Sequence, residues 1–139
     1  MKELKLDDFP LHAYDKLRYA DTDRQGHVNN AVFSTFLETG RVEFLYRPEL
    51  GIITPATSFV VAALQLDFIQ EIIWPGKVDI GTGILRVGNS SIKVLQQIFQ
   101  DGKCAARAET VIVQVNNDSG KAEPLSAAAK EVLQSWLIS

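Results

Sequence analysis

One apolar stripe at helical spacing, in a chain that is otherwise patterned like strands, constrains the fold most. Between Val28 and about Arg47, apolar residues and one glycine recur every three or four positions. The stripe consists of Val28, Val32, Phe33, Phe36, Leu37, Gly40, Phe44 and Leu45. This spacing predicts one amphipathic helix, roughly 30 Å long at ~1.5 Å per residue. Because a mid-helix glycine costs about 1 kcal/mol relative to alanine, we expect Gly40 to mark a close approach of the helix to another backbone.

The segments on either side of this helix predict strands. The predicted strands are residues 13–21 before the helix and residues 58–73, 77–87, 90–100 and 103–115 after it. Gly88-Asn89 and Asp101-Gly102 are hairpin signals between the last three strands. A short C-terminal helix is predicted from Ser126 to about Leu137, with Ser126 as its N-cap.

This order of a strand, a long helix and four strands in a meander predicts an α+β fold. One helix covers only one face of a five-stranded sheet, and a meander leaves free edges that proteins pair or protect. We therefore expect an oligomer, most simply a two-fold dimer. Glu38 and Arg41, a helical turn apart, are expected to form a surface or interface ion pair.

Composition narrows the class of protein. The 139 residues predict a single domain, residues 1–139. A net charge of −3 gives no basic footprint for nucleic acid, and no apolar run is long enough to span a membrane. The N-terminus lacks the apolar core of a signal peptide, so we expect a cytoplasmic location. The single cysteine, Cys104, cannot form an intrachain disulfide.

A dense polar run, the junction segment of residues 19–30, lies between the first predicted strand and the long helix. The backbone N–H groups of a first helical turn are unpaired, and the helix dipole favours negative charge there. A carboxylate beside them can act as a general base or as a nucleophile. The N–H groups can hold a carbonyl oxygen as it becomes negative. The segment therefore indicates acyl chemistry.

Other interpretations of the junction segment fit less well. A helix cap requires one residue, such as Asp21 or Asn29, and leaves the other polar groups unexplained. A calcium-binding EF-hand needs a glutamate at the position of Val32. His27 has no second ligand at metal-binding spacing, and the chain has neither a Gly-x-Ser-x-Gly elbow nor a glycine-rich phosphate loop. Neither a metal nor a cofactor is predicted.

The motif resembles that of a known family. The matching run is Asp21-Thr22-Asp23-x-x-Gly26-His27-Val28-Asn29-Asn30, continued by Phe33, Phe36-Leu37-Glu38 and Gly40-Arg41. It is similar to the hotdog-fold acyl-CoA thioesterases, and most like their 4-hydroxybenzoyl-CoA thioesterase-like branch. The similarity extends over roughly residues 17–115. One departure is Asn30, where the benzoyl-type enzymes carry an aromatic residue; the His-Val-Asn-Asn form is more like relatives that act on fatty acyl thioesters.

The resemblance implies a hotdog fold, in which a five-stranded antiparallel sheet wraps a long central helix. It also implies a homodimer that joins two sheets, or a homotetramer built as a dimer of dimers. By the same resemblance, Asp23 is the catalytic carboxylate and the backbone N–H of Asn30 is the oxyanion donor. Gly26, His27, Asn29 and Phe59 are then the expected substrate-binding residues.

The predicted function is hydrolysis of an acyl-coenzyme A thioester. Two alternatives stay open at this stage: a thioesterase acting on acyl carrier protein, and a non-catalytic protein that binds acyl thioesters on the same fold. The retained Asp23 and the uninterrupted turn from Gly26 to Asn30 favour an enzyme. The sequence does not indicate which acyl group is bound.

Overall fold

The computed structural model describes residues 3–138, which contain two α-helices and five strands. The strands are β1 (Leu11–Lys16), β2 (Thr57–Phe68), β3 (Lys77–Val87), β4 (Ser91–Gln100) and β5 (Lys103–Asn116), and the helices are α1 (Asn30–Leu45) and α2 (Ala127–Gln134). All strand pairs are antiparallel. The predicted α+β class with one long helix and a five-stranded antiparallel sheet is therefore confirmed, and Ser126 caps α2 as expected, its Oγ accepting from Ala129 N at 3.0 Å.

The strand order is β1-β3-β4-β5-β2, so the predicted four-strand meander is wrong. Strands β3, β4 and β5 do form consecutive hairpins, but β2 pairs with β5 from Thr57↔Asn116 to Phe68↔Ala106. The eight residues 69–76 that follow β2 are too many for a tight hairpin. They run along one end of the sheet to β3, which leaves β2 as a long outer edge.

The helix α1 is shorter than its apolar pattern predicts. Val28 is buried but lies before the helix, and its N–H donates to Ile72 O at 2.8 Å. The helix begins at Asn30, with Asn29 as N-cap. Val28 lies in an extended segment but contacts the same apolar core as the helix. The apolar spacing in the sequence therefore begins before the helix does.

Gly40 lies where α1 comes closest to the sheet. A Cβ atom at Gly40 would lie 2.7 Å from Gln96 Nε2 and 2.8 Å from Ile80 Cγ2, so the close neighbours are side chains of β3 and β4 rather than backbone. Gln96 is fully buried, and its Nε2 donates to Leu37 O at 3.0 Å and to Thr82 Oγ1 at 3.1 Å. One amide thus joins the helix backbone to the sheet.

Arg41 is buried on α1, which corrects the expectation of a surface pair with Glu38. Its Nη1 donates to Gln96 Oε1 at 3.4 Å. Burial lowers the pKa of the Arg41 guanidinium, and the charge of Glu38 one turn away partly opposes that effect. The second half of α1 therefore covers a polar cluster rather than a purely apolar layer.

Segments other than α1 also pack on the sheet, one on each face. Phe9, with Leu4 and Leu6, packs against Leu95 and Phe99 on the face opposite α1. On the α1 side, α2 packs beyond the end of α1, where the rings of Phe44 and Trp136 meet edge to face at 5.3 Å. Within residues 3–138, neither helix is both long and apolar enough to cross a membrane.

We predict that Gly40→Ala destabilises the protein although alanine favours a helix. The added methyl group would overlap Gln96 and Ile80, and overpacking costs roughly 1–3 kcal/mol, more than the ~1 kcal/mol gained in helix propensity. Denaturant unfolding measures the change in the free energy of unfolding. Ser34→Ala, at an exposed position of the same helix, is the matched control and should not destabilise. A Gly40→Ala variant more stable than the native protein would contradict the packing described here.

Candidate active site

The junction segment is held in place by backbone bonds to the chain that connects β2 and β3. Trp74 N donates to Gly26 O at 3.1 Å, and Val28 N donates to Ile72 O at 2.8 Å. On its inner side, Asn29 N donates to Asp21 O at 2.8 Å. Asp21 is itself buried and pairs with Arg18 at 3.4 Å. Asp21 therefore supports the segment and does not face solvent.

A tight turn at Gly26 shapes the segment around Asp23. Gly26 has φ +78°, a left-handed conformation that glycine adopts without strain. The backbone of Asp23 closes the turn by donating to His27 O at 2.8 Å. The Oδ1 atom of Asp23 accepts from Gln25 N at 2.8 Å and from His27 N at 3.2 Å. Its Oδ2 atom has no hydrogen-bond partner among residues 3–138, and the side chain is exposed, so this oxygen is available to a substrate or to water.

Asn30 is the first residue of α1, next to the positive end of the helix dipole. Asn29 caps the helix, with its Oδ1 accepting from Ala31 N at 3.0 Å and its carbonyl accepting from Val32 N at 2.9 Å. The N–H of Asn30 donates to no acceptor within the described part of the chain. A free N–H at this place is a ready donor for an anionic oxygen.

These groups line one cleft of about 540 Å³. Its polar side carries Asp23, His27, Asn29 and Asn30. Its apolar side includes Phe33 and Phe68, whose rings meet edge to face at 5.0 Å. The cleft therefore combines a carboxylate, a free backbone donor and an apolar wall, which are the parts required to attack a carbonyl group attached to an apolar chain.

A larger cleft, of about 860 Å³, lies on the opposite face of the sheet beneath the N-terminal segment. Cys104 lines it; the Cys104 thiol contacts Ala106 O at 3.4 Å, and burial raises the pKa of that thiol. Neither α-helix of residues 3–138 begins at this cleft, so it lacks the free first-turn donor that the smaller cleft has. In the same described range, no three His, Cys, Asp or Glu side chains are grouped as a metal site would need.

Of the four substrate-binding residues predicted from the sequence, His27 and Asn29 line the cleft. Gly26 lies in the turn between Asp23 and His27 and does not line the cleft, and neither does Phe59. Phe59 packs against a buried apolar cluster that includes Phe44 and Ile112, towards the other end of β2. Phe68, on the same strand, supplies the aromatic wall instead. Phe59 and Phe68 pair with Gln114 and Ala106, near opposite ends of the β2–β5 ladder, so the length of the strand separates Phe59 from the cleft.

Two residues near the cleft were missed by sequence reasoning. Gln100, at the end of β4, pairs with the backbone of Ile73 through two bonds, Nε2 to Ile73 O at 2.7 Å and Ile73 N to Oε1 at 3.0 Å. Glu71 Oε2 lies 3.3 Å from His27 Nε2. Both contacts join parts of the chain that are distant in sequence, and neither residue belongs to a motif that could have indicated it.

This chain is similar in sequence and in fold to known proteins. A model of the thioesterase-like superfamily matches residues 17–137. The uncharacterized protein YsmA of Bacillus subtilis is 29% identical over 119 residues, which is 84% of this chain and 80% of YsmA. A thioesterase from Thermus thermophilus, crystallised with coenzyme A and zinc, is 29% identical with a TM-score of 0.78, and the match covers 94% of this chain and 96% of that one.

A further solved structure is similar in fold alone. The PA5185 protein of Pseudomonas aeruginosa has a TM-score of 0.87 over 97% of this chain and 96% of that chain, at 22% identity. The superfamily match itself includes the junction segment, α1 and every strand except β1. With a central helix packed on a five-stranded antiparallel sheet, this chain has the hotdog fold and belongs to the thioesterase-like superfamily.

Proposed function

We propose that this protein hydrolyses the thioester bond of an acyl-coenzyme A. The observation that carries the proposal is the pairing, in one cleft, of the Asp23 carboxylate with the free N–H of Asn30 at the start of α1. Membership of the thioesterase-like superfamily supports it, as does the coenzyme A bound by the 29% identical Thermus thioesterase. The apolar wall of the cleft, with Phe33 and Phe68, suits the start of an acyl chain.

In the proposed reaction, the substrate carbonyl oxygen accepts from Asn30 N–H. Asp23 removes a proton from a water molecule, whose oxygen bonds to the carbonyl carbon, and the negative charge collects on the carbonyl oxygen. The carbon–sulfur bond then breaks, giving the carboxylic acid and the thiol, and the proton held by Asp23 passes to the leaving thiolate. Alternatively, Asp23 Oδ2 itself attacks the carbonyl and the carbon–sulfur bond breaks, which leaves an anhydride and a thiolate. Water then hydrolyses the anhydride to the carboxylic acid and the Asp23 carboxylate, and the proton it releases passes to the thiolate.

The proposed assembly is a dimer formed through the β2 edge. Val61, Leu64 and Phe68 are each about half exposed, and their pairing partners on β5 place all three on the α1 side of the sheet. A long, apolar and unpaired edge strand readily pairs with another chain. Because Phe68 also lines the cleft, a second copy seated on this edge would lie beside the site.

We expect Asp23→Asn to lower kcat for acyl-CoA hydrolysis by roughly 100-fold or more, as the loss of a general base does. The asparagine oxygen can still accept from Gln25 N and His27 N, so the fold should remain intact. The assay measures the thiol released by hydrolysis. Its substrates are short, long and aromatic acyl-CoAs and one acyl carrier protein thioester. The control is Asp118→Asn, in an exposed turn. Normal turnover in Asp23→Asn would refute its role, and tight binding without turnover in the native protein would favour a non-catalytic binder.

A single turnover in oxygen-18 water tests for the nucleophilic route. If Asp23 attacks the substrate and water then opens the anhydride at the Asp23 carboxyl carbon, the heavy oxygen appears in the Asp23 carboxylate. Activation of water leaves Asp23 unlabelled and places the label in the released acid, as does opening of the anhydride at the substrate carbonyl carbon. Label in Asp23 therefore identifies the nucleophilic route.

We predict that Asn30→Pro lowers kcat about 100-fold more than Asn30→Ala, because only proline removes the backbone N–H. The helix should tolerate it: proline is favoured at the first helical position, and Asn29, at φ −61° and ψ 137°, already has the extended conformation that precedes proline. Circular dichroism and thermal unfolding verify the fold. Equal activity in the two variants would exclude the Asn30 N–H as the oxyanion donor.

Leu64→Lys should convert the proposed dimer into a monomer. It should also reduce hydrolysis, because the second copy would lie beside the cleft. A lysine on an apolar edge prevents a second strand from pairing, and Leu64 is 44% exposed, so the monomer loses little of its own core. Light scattering coupled to size exclusion gives the mass. Tyr14→Lys, on the opposite edge strand β1, is the control and should leave the mass unchanged. A native protein that is already monomeric would refute the proposed assembly.

A further inference from the structure

The geometry points to Glu71 as a positioning residue that acts through His27. We infer that its carboxylate holds the imidazole proton on Nε2, which leaves Nδ1 as an acceptor for an amide N–H of the ligand in the cleft. Glu71 Oε2 lies 3.3 Å from His27 Nε2, and both residues line the cleft that contains Asp23. Glu71 is not part of the junction segment and lies more than forty positions away in sequence.

The two side chains are held close by the backbone around them. His27 forms a β-bridge with Ile73, two residues beyond Glu71. Ile73 is in turn fixed by its two hydrogen bonds to the Gln100 side chain, and Ile72 O accepts from Val28 N. The contact therefore joins two anchored segments, although the Glu71 side chain is 66% exposed.

The carboxylate determines which ring nitrogen of the neutral imidazole carries the proton. A carboxylate only accepts hydrogen bonds, and an unprotonated ring nitrogen is also an acceptor, so two lone pairs would face each other if Nε2 were bare. A proton on Nε2 replaces this repulsion with attraction, and the other nitrogen, Nδ1, is then the acceptor. Replacing the negative charge of Glu71 with a positive one reverses the preference.

The ligand group follows from this arrangement. An acceptor in a cleft that also holds a carboxylate selects hydrogen-bond donors, and the pantetheine arm of coenzyme A carries two amide N–H groups. This assignment of the ligand rests on the proposed function, whereas the effect of Glu71 on the His27 ring does not. The two parts can therefore fail separately.

The tautomer can be measured directly because the chain has only two histidines. With ¹⁵N-labelled histidine, the two ring nitrogens of the neutral imidazole give well-separated shifts that identify the protonated one. We expect the proton on Nε2 of His27 in the native protein and a shift of population to Nδ1 in Glu71→Lys. A native ring protonated on Nδ1, or an unchanged spectrum in Glu71→Lys, would overturn the inference.

His12 provides an internal reference in the same spectrum. Its Nε2 lies 2.9 Å from Phe9 O, a carbonyl that only accepts, so the His12 proton should also reside on Nε2. His12 belongs to β1 and does not line the cleft. Its shifts should be the same in the native protein and in Glu71→Lys.

Kinetics test whether Glu71 acts through His27 on the ligand. Glu71→Ala should raise KM for acyl-CoA roughly threefold to tenfold, as expected for one hydrogen bond, with a smaller change in kcat. In a His27→Ala background the same change should have no further effect. An equal rise in both backgrounds would mean that Glu71 contacts the ligand itself, which contradicts the inference.

A matched control and a second readout keep the two proposals separate. Glu109→Ala removes a partly exposed glutamate that pairs with Lys93 at 3.2 Å outside the cleft, and it should leave KM unchanged. If the native protein hydrolyses no acyl-CoA, the proposed function fails; the dissociation constant for coenzyme A then replaces KM, and the labelled histidine still decides the action of Glu71.

Discussion

The contact between α1 and the sheet at Gly40 is the constraint on which the rest of the structure depends. Because Gly40 has no side chain, Gln96 and Ile80 can fill the space where a Cβ atom would lie. Gln96 then bonds the helix backbone at Leu37 and the sheet at Thr82, with no exposure to solvent. A helix fixed in this way along its middle has a fixed N-terminus, and that end carries the candidate oxyanion donor.

The connection between β2 and β3 supplies the other half of the site. Had β2 paired with β3 as a hairpin, the chain of residues 69–76 would not run along the end of the sheet. In the observed topology it bonds to the junction segment at Gly26 and Val28 and brings Glu71 to the cleft, next to Phe68 at the end of β2. The same departure from a simple meander therefore exposes an apolar edge and supports the loop that presents Asp23.

Local features of this chain could be predicted from its sequence, and long-range ones could not. Residue spacing and the chemistry of single residues were enough to predict the α1 stripe, the bounds of β3 and the Ser126 cap. A short motif was enough to predict that Asp23 lies beside the start of a helix. The pairing of β2 with β5, the position of Phe59 away from the cleft and the Glu71 contact depend on residues far apart in sequence. The alternation of residues along a strand indicates which of its faces is apolar, but it does not indicate which other strand pairs with it.

In the proposed mechanism, Asp23 and the first turn of α1 together surround the carbonyl of an acyl thioester. A crystal structure with a non-hydrolysable acyl-CoA analogue, in which a methylene group separates the sulfur from the carbonyl, tests this most directly. We predict the carbonyl oxygen within hydrogen-bond distance of Asn30 N and the Asp23 carboxylate facing the carbonyl carbon. An analogue bound with its carbonyl in the cleft on the opposite face of the sheet, or turned away from Asn30, would contradict the mechanism.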